Sequence, residues 1–99
     1  MERLKNIHPG EIIQEEFLTP HNITVSRLAK ETGIQLARIS DIISGKKRIT
    51  AEIALRLAAF FGNSPKFWLG LQDDYDLEEG IMAKKGKIES IKRFVANAV

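Results

Sequence analysis

Arg38, Ser40, Asp41, Ser44, Lys46, Lys47 and Arg48 crowd into one short stretch of the chain, directly after Gln35, Leu36 and Ala37. Their chemistry suits a polyanion whose edges carry hydrogen-bond donors and acceptors. Arginine forks two donors onto a guanine edge or clamps a phosphate, serine bonds to either, and lysine neutralises phosphate as a point charge. Leucine and alanine offer only apolar contact, which fits a thymine methyl group. Asp41 repels phosphate, so toward such a partner it accepts from a cytosine amino group or restrains Arg38. Each residue also has a plainer use. Leu36 shares a helical face with Ile39 and Ile43, which fits a core. Arg38 can pair with Asp41 or Glu31 on the surface at little energetic gain, and Lys46 to Arg48 suit a solvated turn.

Side chains that meet a groove must stand on a helix held rigidly from behind, and the chain is punctuated accordingly. Leu28-Ala29-Lys30-Glu31-Thr32 and the stretch from Gln35 to Ser44 read as two short helices joined at Gly33, with a basic turn after the second. That is the layout of a helix-turn-helix, whose second helix enters the major groove. Thr24 caps the first of the pair, Val25 to Thr32, and can offer a hydroxyl and a backbone amide to a phosphate. Gly33 ends that helix where a positive φ is wanted. In the reading helix, Ile39, Ile42 and Ile43 turn toward the core.

Further signals place three more helices. His8-Pro9-Gly10-Glu11 starts the first, with Ile12, Ile13 and Phe17 as its buried stripe and Thr19-Pro20 as its stop. Thr50 caps a fourth, in which Ile53, Ala54, Leu57, Ala58 and Phe61 recur at helical spacing before Gly62. Ser64-Pro65 opens a fifth through Phe67, Trp68, Leu71 and Tyr75. The expected fold is all-α: a compact five-helix domain over residues 1–77, followed by a C-terminal helical extension over 78–99. Asp73, Asp74, Asp76, Glu78 and Glu79 form an acidic patch around Tyr75 and Leu77, and Gly80 and Gly86 bracket a short basic stretch. Ile88, Ile91 and Val95 then predict a last amphipathic helix of roughly 12 residues, which must dock because it is marginal alone.

Composition bounds the function. The chain has 99 residues, enough for one domain. Its net charge of +2 is unevenly spread. Between Arg27 and Arg56 seven basic residues face three acidic ones, a net of +4, and the other eight basic and ten acidic residues give −2. Positive charge thus concentrates around the reading helix, as phosphate binding requires. No apolar run approaches the ~20 residues of a membrane span, and the absence of a signal-like segment predicts a cytoplasmic protein without membrane contact. There is no cysteine nucleophile, no serine with an evident histidine–acid pair, and no metal-ligand spacing between His8 and His21. The carboxylates near Asp76 lack the spacing of a calcium loop. No catalytic site, cofactor or metal is expected. One reading helix spans only a few base pairs, and each mismatch costs roughly 1–3 kcal/mol. Specific recognition therefore requires a dimer with its reading helices about 34 Å apart. The bulky Phe67, Trp68 and Leu71, or the last helix, are candidates for the twofold contact, Trp68 being equally suited to anchor the core.

The chain resembles the Cro/C1-type (XRE) helix-turn-helix family and, within it, the HigA/VapI-like antitoxins of bacterial toxin–antitoxin pairs. The resemblance rests on His8-Pro9-Gly10-Glu11 with Glu15-Glu16-Phe17-Leu18, Leu28-Ala29, Arg38-Ile39-Ser40-Asp41-Ile42-Ile43-Ser44-Gly45-Lys46 and Ile49-Thr50-Ala51. It continues through Ala54-Leu55-Arg56-Leu57-Ala58, Phe61-Gly62-Asn63-Ser64-Pro65-Lys66-Phe67-Trp68-Leu69 and Tyr75-Asp76-Leu77. It implies a lambda-repressor-like fold and a homodimer on a palindromic double-stranded operator before its own operon. It also implies neutralisation of a small basic mRNA-cleaving toxin of the RelE/HigB kind, for which Asp73, Asp74 and Asp76 offer a landing patch. Arg38 is the most family-like contact, whereas Leu36 and Ala37 stand where relatives often carry proline or a polar residue. The alternatives are a stand-alone, phage-like regulator and a protein-binding module that no longer reads DNA.

Overall fold

Proline has no amide hydrogen to lose in a first helical turn, and Pro9 occupies that position in α1 (Pro9–Ile12). His8 caps the helix, its Nδ1 accepting the Gly10 N–H at 2.9 Å. The helix then widens into a π-helical turn over Ile13–Leu18 and tightens into a 3₁₀ turn over Thr19–His21. In a regular α-helix the Pro20 ring would strike the carbonyl of Glu16, and the widened turn avoids this. It also changes the buried face. Ile13 and Leu18, five residues apart, are both fully buried, whereas Ile12, expected in the buried stripe, is turned half out and Phe17 packs at the core's edge. Asn22, at φ 54°, then reverses the chain.

The remaining caps follow local chemistry. Thr24 Oγ1 accepts the Arg27 N–H at 3.0 Å to start α2 (Val25–Thr32), which ends at Gly33 with φ 74°. After α3 (Leu36–Ile43), Thr50 caps α4 (Ala51–Phe61) and Ser64 caps α5 (Pro65–Glu89). The computed structural model describes residues 5–96, and no strand occurs among them. Ile13, Leu18, Leu28, Ile39, Ile42, Ile49, Ile53, Leu57 and Trp68 form one core to which all five helices contribute. Phe17, Phe61 and Trp68 close its far end, with ring centroids 4.8 to 5.8 Å apart.

Two expectations need correction. Trp68 has no exposed surface and its Nε1 donates to Asn63 Oδ1 at 2.7 Å. It therefore cannot meet a second subunit without unpacking the core. Phe67 is 41% exposed beside it and Leu71 is partly buried. The other concerns the C-terminal part, which is helical only as far as Glu89. α5 runs across residue 77 and through Gly80 and Gly86 to Glu89, kinked at Lys84, whose backbone is not helical (φ −125°, ψ 18°). Glycine inside a helix costs only about 1 kcal/mol and stops nothing without a positive φ. Ile91 and Val95 lie beyond the helix and Ile88 in its last turn, so the expected amphipathic repeat does not form. The projecting α5 makes the molecule long, 58 × 38 × 21 Å.

α1 touches α3 backbone to backbone. A Cβ on Gly10 would overlap the Ile42 carbonyl oxygen and lie 2.7 Å from Ile43 Cα. Neither obstacle is a side chain that can swing away. Gly10→Ala is expected to destabilise the fold by about 3 kcal/mol or more, at the upper end of overpacking costs, measured by urea unfolding.

Candidate nucleic-acid interface

α3 is buried along one side by Ile39 and Ile42 and open along the other. Ala37, Ser40 and Ser44 are exposed on the open side and Asp41 is half-buried beside them. Leu36 is 50% exposed, so it stands at the rim of this face and not in the core. Gln35 occupies the N-cap position without a side-chain bond to the helix, leaving the first amides of α3 uncapped by it.

The flanks are set by hydrogen bonds. Arg38 Nη2 donates to Thr50 Oγ1 at 3.2 Å, so Arg38 lies on the side toward α4 and pairs with neither Asp41 nor Glu31. Between the turn at Gly33 and α4 is a cavity of about 280 Å³, lined by Gln35, Arg38, Glu52 and Arg56 among others. Arg56 Nη1 donates to the Thr32 carbonyl at 2.9 Å, fastening the turn of the motif to α4. Buried Thr32 donates to the Leu28 carbonyl at 2.6 Å and accepts the Ile34 N–H at 3.3 Å. Thr24, exposed, stands at the start of the supporting helix.

Beyond α3 the chain folds back on Asp41. Its carbonyl accepts the Lys46 N–H at 2.8 Å, the Lys47 N–H at 3.2 Å and the Ser44 hydroxyl at 3.2 Å. Lys46 and Lys47 are left exposed. Arg48 differs from them. Its Nη2 donates to Asp76 Oδ2, while Asp76 Oδ1 accepts Gln72 Nε2 at 2.9 Å and Gln72 Oε1 accepts the buried Ile49 N–H at 2.7 Å. A phosphate contact by Arg48 would compete with this pairing, and Asp76 is not a freely solvated member of the acidic patch. Gln72, Arg56 and Thr50 have no place among the residues singled out from sequence for this site. Gln72 alone carried a signal, a polar residue four positions after Trp68 on the buried side of α5.

His8 lies beneath the same turn. Its ring packs edge-on against Tyr75 with centroids 4.9 Å apart. Burial pushes its pKa below the usual 6.5, against the opposing pull of Asp76 and Glu11. Among the described residues no group of three or more histidine, aspartate or glutamate side chains is arranged to hold a metal ion, and no helix is long and apolar enough to cross a membrane.

A short helix braced from behind by α1 and α2, with its outer side bare and a basic turn at its end, is a helix-turn-helix. A helix-turn-helix family model matches residues 14–68. Over 81 residues the chain is 42% identical to virulence-associated protein I of Dichelobacter nodosus, spanning 82% of this chain and 72% of that protein. An addiction module antidote protein of the HigA family from Coxiella burnetii superposes with a TM-score of 0.86 at 41% identity, over 92% of this chain and 100% of that one. Antitoxin HigA of Pseudomonas aeruginosa, solved with the higBA promoter, superposes with a TM-score of 0.86 at 33% identity, over 92% and 100%. The chain belongs to the Cro/C1-type helix-turn-helix family, among its HigA-like members.

Gln72→Leu keeps the volume but leaves the buried Ile49 amide without an acceptor. It should cost about 1–3 kcal/mol in urea unfolding and speed amide exchange at Ile49. The His8 shift has a definite sign. A base whose folded pKa is depressed resists protonation, so its contribution is complete above 6.5 and lost as pH falls below it. Stability should decline as pH falls through 6.5, and less steeply in His8→Asn, which keeps a capping oxygen but does not titrate.

Proposed function

We propose that this protein binds operator DNA as a homodimer through α3, represses its own operon, and acts as the antitoxin of a toxin–antitoxin pair. The observation that carries the DNA reading is the bare face of α3. Ala37, Ser40 and Ser44 are exposed there, Leu36 and Asp41 partly so, and the exposed Lys46 and Lys47 follow directly after the helix end. The relative from Pseudomonas aeruginosa, similar over nearly the whole chain, was solved with promoter DNA. In this reading the outer face of α3 meets base edges. Arg38, held by Thr50, reaches a base edge or phosphate at the flank, and Thr24, Gln35, Lys46 and Lys47 meet the backbone. Arg48 joins them only by exchanging Asp76 for phosphate. With Leu36 and Ala37 at the helix tip, apolar contact replaces part of the polar readout. The antitoxin reading is supported by the HigA-family likeness. Its ligand would be a small basic RNA-cutting toxin, for which Asp73 and Asp74 remain exposed on α5.

Titration of the promoter preceding the gene at several salt concentrations tests the DNA reading. Binding should be sequence-specific and fall steeply with salt, because neutralised phosphates release counterions. Arg38→Ala should lower specific binding by about 1–3 kcal/mol. Lys47→Ala should weaken specific and non-specific DNA alike and reduce the salt slope by about one unit. Parent-like binding by both variants would remove α3 and its turn from the interface.

A further inference from the structure

One member of the opening His8-Pro9-Gly10-Glu11 brings more chemistry than its place in α1 requires. Pro9 starts the helix, Gly10 lets α1 lie on α3, and His8 is the cap. A cap needs only an acceptor on a short side chain, which serine, threonine, aspartate and asparagine supply best. Thr24, Thr50 and Ser64 do this for α2, α4 and α5. Histidine adds a half-buried ring to the same task, and the ring reaches beyond α1.

The ring has neighbours on two other elements. On α5, Tyr75 packs edge-on at 4.9 Å, and Tyr75 is tied to the chain before α1 by the bond from Asn6 Nδ2 to its carbonyl, 3.1 Å. On the basic turn, a Cβ at Gly45 would lie 3.7 Å from His8 Cγ and 3.9 Å from Cδ2, so ring and turn are separated by the width of one carbon. The Lys47 backbone also lies close enough to favour the ring's charged form by a hydrogen bond.

The turn needs such a support. Its two lysines are exposed, and Gly45 at φ 82° has no side chain of its own to pack. Toward α3, the Lys46 and Lys47 N–H groups both bond the Asp41 carbonyl, at 2.8 and 3.2 Å. Two bonds to one acceptor fix where the turn is attached but not the direction in which it leaves. Contact with the ring supplies the second point.

We propose that His8 is a positioning residue for DNA binding: its ring, lying between Tyr75 and the turn, fixes the direction in which Lys46 and Lys47 leave α3. This rests on the reading of that turn as a phosphate contact and names the group that orients it. Without the ring the turn samples several directions, and re-ordering it on DNA costs affinity.

Two variants separate the ring from the cap, their folding checked by circular dichroism. His8→Asn keeps a capping oxygen and removes the ring, whereas His8→Phe keeps a ring beside Tyr75 and Gly45 and removes the cap. Without DNA, amide exchange at Lys46 and Lys47 should be at least about tenfold faster in His8→Asn, measured relative to Leu57 in the core. Its affinity for the promoter should fall at least about tenfold, roughly the cost of re-ordering one residue's backbone. His8→Phe should return both quantities most of the way to the parent although its cap is gone. Parent-like exchange in His8→Asn overturns the proposal, because the turn then needs no ring. Equal losses in the two variants overturn it as well, because the ring then does nothing of its own. Fast exchange in His8→Asn with parent-like promoter binding, while Lys47→Ala binds more weakly, shows that the direction of the turn is immaterial to DNA. If Lys47→Ala also binds like the parent, the turn does not meet DNA, and the proposed interface fails together with this role.

Discussion

The outer face of α3 can be left bare only because its inner side is held at van der Waals contact, and the tightest point of that hold is Gly10. There the backbone of α1 lies directly on the last turn of α3, with no room for a single carbon between them. From this contact the neighbouring arrangement follows. Ile13 enters the core one turn later, and His8, capping α1, is carried under the turn at Gly45 and against Tyr75 of α5. Protein interiors are packed like organic crystals and yield little, so three elements meeting at one point fix the direction in which α3 presents its side chains.

Polar groups brace the same helix at both ends. At its start, Thr32 and Arg56 tie the turn of the motif to α2 and α4. At its end, Gln72 carries a hydrogen-bonded chain from the Ile49 amide to Asp76 and on to Arg48. Among the described residues no buried side-chain nitrogen or oxygen lacks a partner, as low-dielectric surroundings demand. The Arg48–Asp76 pair is largely exposed and adds little stability by itself. Its effect is on where charge points. It holds Arg48 toward α5 while Lys46 and Lys47 stay free on the side of α3.

Legibility followed the range of the interactions. Thr24, Gly33, Thr50, Gly62 and Ser64 were readable because a cap or a positive φ is decided within a few residues. Ile39, Ile42, Ile53 and Leu57 were readable because helical period and burial coincide. The first helix was misread where its period changed. A π-helical turn makes Leu18 the partner of Ile13 and rolls Ile12 outward, and 3.6-residue counting cannot register that. The end of α5 was misread because Ile88, Ile91 and Val95 keep a helical spacing, although the helix ends at Glu89.

The sequence by itself determined the element boundaries at their caps, the helix-turn-helix, the concentration of basic charge around α3 and the family. All of these depend on neighbours within one or two turns, or on a pattern of residue types. Tertiary structure alone decided that Trp68 belongs to its own core, that Leu36 stands at the rim of the reading face, and that Arg38 leans on Thr50 and Arg48 on Asp76. It also decided that the ring of His8 lies between the basic turn and Tyr75. Such outcomes depend on which surfaces meet across the chain and at what distance, and a contact between residues 28 or 69 positions apart leaves no local trace.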